Sequence, residues 1–245
     1  LSGLWIYQVS LRKVLKPSIR EEIGGNLKYE ILNRPAFSVL KIELDGDSVF
    51  SEPGAMMFIA GEIGVETTTG GIFKGLKRKI LGGESLFLNK FEGIGEVWLA
   101  PKIPGDIRYL ELKGDSVIVQ DSSYLAHHGD LDYSVAWKGL RGLLAEGELF
   151  WIKLEGEGGV WVNSYGGMLE MELRHGEEII VDNFHFVAMD GEMDYSIEKF
   201  GGLKSFLFGG EGIVARVRGP GRILLQTRTL SQFVEEIRRF LPREK

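Results

Sequence analysis

The sequence predicts an all-β protein. Its expected form is repeated β-sandwich or double-stranded β-helix-like units, followed by one short C-terminal α-helix. Three observations predict this. Apolar residues alternate with polar or small ones, as in Phe37, Val39, Leu40, Ile42 and Leu44, then Ile107, Tyr109, Leu110 and Leu112, then Met168, Leu169, Met171 and Leu173. A period near two marks half-buried strands. Glycine is abundant and proline scarce, 34 and 7 of 245 residues, which places many tight turns between short strands. Finally, one stretch comes back twice: Gly82-Gly83-Glu84-Ser85-Leu86-Phe87 is echoed from Ala145 and again from Phe208.

The echo keeps its period at separate landmarks, as a true repeat must. Glu84, Glu148 and Glu211 are spaced by 64 and 63 residues, and Gly93, Gly156 and Gly219 by 63 and 63. His128-Gly129-Asp130-Leu131-Asp132-Tyr133 matches Asp190-Gly191-Glu192-Met193-Asp194-Tyr195 at an offset of 62, and Ala60-Gly61-Glu62-Ile63-Gly64-Val65 stands 68 residues before it. The chain therefore divides into an N-terminal extension (1–26), a repeated β domain (27–228) and a C-terminal amphipathic helix (229–245). The β domain holds three related units of about 63 residues, 27–93, 94–156 and 157–221. The glycine patterns at 93–95, 156–158 and 219–221 read as turns that close the units. Asp45-Gly46-Asp47, Lys113-Gly114-Asp115 and His175-Gly176-Glu177 read as hairpin turns.

Taken in order, residues 1–26 combine Leu4, Trp5, Ile6, Tyr7, Val9 and Leu11 with a mildly basic charge, and read as an extra strand or short helix on the chain's own core. Pro53-Gly54 sets a tight turn, because proline fixes φ and glycine tolerates positive φ. Val65 to Thr69 is a β-prone run. Ile72, Phe73, Leu76 and Ile80 share a helical face in a connection rich in Lys74, Lys77, Arg78 and Lys79. Residues 137–144 and 202–208 are the equivalent connections, and all three are apolar enough to need covering, by a symmetric neighbour above all. In the tail, Leu230, Phe233, Val234, Ile237, Phe240 and Leu241 fall on one helical face. Thr229 with Gln232 forms a capping box, and Pro242 marks the stop. This helix is expected to pack on the β domain or on a subunit.

Composition excludes several kinds of chemistry. The net charge of −6 gives no overall basic field for nucleic acid. With no cysteine there is no disulfide, thiol catalysis or cysteine-ligated metal. No apolar run reaches membrane-spanning length, and no secretory leader is recognisable, so a cytoplasmic location is expected. Few Asn and Gln beside many Glu, Lys and Arg are the bias of a thermophile. Gly70 and Gly75 have P-loop spacing, but Leu76 stands where the phosphate-binding lysine must be. His127 and His128 with Asp130 and Asp132 suggest a metal cluster, yet neighbours on a strand face opposite ways, so the segment reads as a polar turn. Ser122 and Ser123 lie near these histidines without a nucleophile elbow. Trp98 and Trp161 are repeat equivalents and read, with Trp151, as core.

Several motifs in order resemble one family: Ser51-Glu52-Pro53-Gly54-Ala55-Met56-Met57, Gly82 to Leu88, Pro104-Gly105-Asp106-Ile107, Gly201-Gly202-Leu203-Lys204-Ser205, and Gly219-Pro220-Gly221 followed by Leu225-Gln226-Thr227-Arg228. This is the family named for its yeast member, the "altered inheritance of mitochondria" protein assigned to mitochondrial biogenesis, and the resemblance covers about residues 27–229. It implies a fold similar to the tryptophan RNA-binding attenuation protein, repeated within one chain, and assembly into a homotrimeric ring. It brings no catalytic residue, cofactor or metal. The function expected is that of a non-enzymatic, homo-oligomeric scaffold or interaction protein. The alternatives are an RNA- or small-ligand-binding module using Lys74, Lys77, Arg78 and Lys79, and a metal-dependent enzyme on a cupin-like β fold.

Overall fold

A computed structural model describes residues 19–22, 27–69, 87–138, 150–199 and 213–242. Among the described residues the protein is all-β with one short C-terminal helix. The strands are β1 (Ile19–Glu22), β2 (Lys28–Leu32), β3 (Val39–Ser51), β4 (Met56–Thr69), β5 (Phe87–Leu99), β6 (Ile107–Gln120), β7 (Tyr124–Lys138), β8 (Phe150–Asn163), β9 (Met168–Leu173), β10 (Glu178–Asp182), β11 (Phe186–Asp190), β12 (Asp194–Lys199), β13 (Ile213–Arg218) and β14 (Gly221–Gln226), followed by α1 (Leu230–Arg238).

All named pairings are antiparallel, and one order recurs: β4-β5-β3, then β7-β8-β6, then β12-β13-β10 beside β11-β14-β9. In each group the third strand in sequence lies between the other two. In the last group each long strand is broken in two, so its halves fall into different sheets. Consecutive groups are stitched by a short ladder. Val49, Phe50 and Ser51 of β3 pair with His128, His127 and Ala126 of β7. Val117, Ile118 and Val119 of β6 pair with Asp190, Met189 and Ala188 of β11. Three apolar clusters bridge neighbouring groups: the first joins Leu40 and Ile42 to Trp161 of β8, the second, around Leu154, Val160 and Val162, takes in Leu88 of β5 and Val187 of β11, and the third joins Trp151 of β8 to Phe186 and Val217.

The glycine landmarks differ from expectation. Gly93 and Gly95 lie inside β5, Gly156 and Gly158 inside β8, and only Gly219-Pro220-Gly221 interrupts a strand. The strand groups accordingly end at Leu99, Asn163 and Gln226. Gly158 shows why glycine is needed. It faces Gly129 across the ladder at φ +151°, and a Cβ built on it would stand 2.2 Å from the His128 carbonyl oxygen. Two backbones approach there too closely for any side chain. Asp45-Gly46-Asp47 and Lys113-Gly114-Asp115 are likewise not hairpin turns. Each is a register shift within a strand whose two halves keep the same partner, β5 or β8. A positive-φ glycine serves a bulge as readily as a turn. Only at 174–177 does the chain turn, between β9 and β10, where the Glu177 amide donates to the Arg174 carbonyl at 3.0 Å.

Pro53-Gly54 forms the expected turn, with Gly54 at φ +86°. Of the extension, 19–22 pairs with β2 as an added strand. Trp151 and Trp161 are buried, but Trp98 is only half-buried. Trp161 lies against Tyr29, Tyr109 and His128, whereas Trp98 stacks on Phe58 of the outermost strand β4 and donates to Glu96 at 2.9 Å. The α1 helix begins where its sequence indicates, with Thr229 Oγ1 accepting from the Gln232 amide at 3.3 Å. Within the single chain its apolar face stays largely open, apart from the contact of Phe233 with Tyr165. Leu230, Phe233, Ile237, Phe240 and Leu241 are 40–86% exposed.

Candidate functional site

The histidine pair is not a polar turn. His127 and His128 lie within the continuous strand β7, buried where it meets β3. Alternation sends the rings to opposite sides. His127 Nδ1 is 2.5 Å from Tyr124 Oη and 2.6 Å from Tyr133 Oη, and its ring stacks on Phe50 at 4.8 Å. His128 Nε2 is 2.9 Å from Tyr109 Oη, and its ring lies 5.3 Å from that of Trp161. Tyrosine hydroxyls take the bonds an ion would need, and no ion reaches both rings. Among the described residues, no group of three or more His, Asp or Glu is placed to hold a metal. The even spacing of His127 and Tyr133 was the one local sign of a shared strand face. Tyr109 and Phe50 come from distant strands.

Burial drives the titration of this region. It pushes His127 down to about 3, helped by the His128 charge, and His128 down to about 4 against the pull of Asp47. Burial raises Asp121 to about 6, although the Phe150 amide donates to its Oδ1 at 3.4 Å. Burial also raises Glu52, opposed by Lys102.

The signs give a testable result. Between about pH 4 and 6 both imidazoles are neutral in the folded chain and protonated in the unfolded one, so the folded state loses stability as pH falls. Asp121 and Glu52 act oppositely, because folding holds their protons to higher pH. His127 contributes one proton, or about 1.4 kcal/mol per pH unit in that window. His127→Gln keeps polar partners for the tyrosines and removes the titration. Denaturant unfolding at pH 6 and at pH 4 should show a slope flatter by that amount in the variant. An unchanged slope would contradict the buried, neutral imidazole.

The second feature is a clamp. Asp106, buried just before β6, accepts from Arg34 Nε and Nη2 at 2.8 Å each, from Ser38 Oγ at 3.1 Å and from the Ile107 amide at 2.9 Å. Its own amide donates to the Gly166 carbonyl at 3.2 Å, and the Ser164 amide donates to the Asp106 carbonyl at 3.0 Å. Three segments distant in sequence are thereby held together: 34–38, 104–107 and 164–166. The same segments wall a groove of about 690 Å³, whose remaining side is α1. Pro35, Phe37, Pro104, Tyr165 and Phe233 give it an apolar lining, and Glu235 and Glu236 an acidic border, with Arg228 also present. The Tyr165 and Phe233 rings meet edge to face at 6.0 Å. Sequence reasoning missed this groove, because no local pattern links Arg34 to Asp106.

Lys74, Lys77, Arg78 and Lys79 lie outside the described residues, as do nearly all of the three apolar connections. Among the described residues, no helix is long and apolar enough to cross a membrane.

Comparison with known proteins gives concordant matches. A family model described as "Mitochondrial biogenesis AIM24" matches residues 29–228. An uncharacterised protein of Streptococcus pyogenes serotype M6 is 30% identical over 232 residues, covering 90% of this chain and 93% of the relative. The crystal structure of a Streptococcus pyogenes protein is similar with a TM-score of 0.74 at 31% identity, over 88% of this chain and 100% of the other.

Proposed function

Because the chain belongs to the AIM24 mitochondrial biogenesis family, we propose that it is a non-enzymatic scaffold of three related β units that assembles with copies of itself, in the cytoplasm. The observation that carries this is an uncovered edge at each end of the strand order. The β3–β7 and β6–β11 ladders each join one group's first strand to the next group's second strand. The last group's first strand, β10, pairs only with β13 among the described residues, and the first group's second strand, β4, only with β5.

Burial follows the same logic. Leu125 and Val187, each next to one of the two ladders, are 0% exposed, whereas the matching Met57 on β4 is 52% exposed. Ala126 and Ala188 are 0% exposed against 44% for Phe58, and Ile118 is 2% exposed against 47% for Ile180. An apolar strand edge left open is a template for another chain. The two edges have the residue pattern of strands that pair elsewhere in the same molecule. Pairing β10 of one copy with β4 of the next is head-to-tail, and such a contact closes into a ring when its rotation permits. A homotrimer is the ring proposed.

Light scattering on the intact chain tests this. A trimer mass is expected, and Ile180→Lys should reduce it towards that of one chain. A monomer at all concentrations would remove the proposal.

A further inference from the structure

We propose that the groove between α1 and the 33–37 loop is the seat of the chain's own residues 1–18. The β1 strand pairs Ile19 with Ile31, at the end of β2 from which the 33–37 loop departs. Cross-strand spacing plus four residues of chain puts Ile19 within about 20 Å of Pro35 in the groove wall. Eighteen residues reach about 60 Å when extended, enough to pass Pro35 and run the length of the nine-residue α1. A short tether of this kind raises the local concentration of the segment at the groove far above that of any free partner.

The segment contains the apolar run Leu4-Trp5-Ile6-Tyr7, three cations (Arg12, Lys13 and Lys16) and no acidic residue. The groove offers Phe37, Tyr165 and Phe233 to the apolar run and Glu235 to the cations, beside Glu236, which is already paired with Arg239 at 3.0 Å. Phe37 is 70% exposed and the α1 stripe stays open, so the face lacks a cover among the described residues. This assignment does not depend on self-assembly, which uses the β4 and β10 edges instead.

Hydrogen exchange on the full-length chain tests it. In the unaltered chain, amides of residues 4–15 are expected to exchange more slowly than unstructured peptide. Phe233→Asp should abolish that protection while exchange in β6 and β8 stays unchanged, which shows the fold is intact. Reciprocally, the double variant Trp5→Asp with Ile6→Asp should expose the amides of α1. Three results would overturn the proposal. One is unprotected exchange of 4–15 in the unaltered chain. Another is protection indifferent to Phe233→Asp. The third is protection that is lost on dilution or that needs added anionic lipid vesicles, which would give the groove to a second copy or to a membrane.

Discussion

Replacing Gly158 by alanine should destabilise the protein by about 3–5 kcal/mol, since the residue combines a backbone conformation reserved for glycine with overpacking. The cause is specific. At φ +151° the new Cβ meets the His128 carbonyl oxygen at 2.2 Å and the Gly129 Cα at 2.9 Å. Neither is a flexible side-chain end, so relief requires the β7–β8 ladder to part. Gly95 repeats the geometry in the first group, with its Cβ 2.1 Å from the Ala60 carbonyl oxygen. Gly114 is the control. It too has positive φ, +84°, but nothing lies within 4 Å of its Cβ, so alanine there costs only the left-handed strain of about 1–2 kcal/mol. Denaturant midpoints for the two alanine variants decide the matter. Equal losses at 158 and 114 would mean that the glycine marks only a φ value and not a contact between strands.

Asp106→Ala is expected to cost about 3 kcal/mol, the lower end of the range for breaking a buried ion pair, because the Arg34 side chain left behind is 27% exposed. The substitution removes the carboxylate that accepts both Arg34 donors, the Ser38 hydroxyl and the Ile107 amide. Asp106→Asn should lose less, because one amide oxygen still accepts. Arg34→Lys should fall between, since an ammonium cannot reproduce the two-pronged contact. The loss should also loosen the groove, whose walls the clamp joins. Faster hydrogen exchange at 33–38 and 164–167 in Asp106→Asn than in the unaltered chain is the expected accompaniment. A loss below about 1 kcal/mol for alanine would be that of an exposed pair and would contradict the burial described.

These two sites show what the chain states locally and what it does not. Strand periodicity and the α1 helix were legible because both depend on residues close in sequence: alternation for the strands, the Thr229 cap and the spacing of Leu230, Phe233 and Ile237 for the helix. The positions of the glycine landmarks were legible too, but their meaning was not. A glycine at positive φ looks the same at a turn and at a bulge or close crossing. What separates them is whether the flanking residues keep one partner strand, as those around Gly46 and Gly114 do. The His127-His128 segment looks polar in isolation, and it is buried only because β3 and the three tyrosines close over it. Arg34 and Asp106 are 72 residues apart, and nothing in either neighbourhood announces the other. The burial of Trp161 and the exposure of Trp98 likewise follow from their neighbours. Equivalent positions differ when one lies beside an open edge.

A disulfide between chains tests self-assembly through the β4 and β10 edges most directly. The protein has no cysteine of its own. Ser51 pairs with Ala126 and Val119 with Ala188, and the matching positions on the open edges are Val181 and Phe58. Phe58→Cys and Val181→Cys chains, prepared separately, mixed and oxidised, should give a covalent dimer absent from either alone. If the mixture gives no such dimer, while the double variant closes a disulfide within a single chain, the edges serve one molecule and the self-assembling scaffold is wrong.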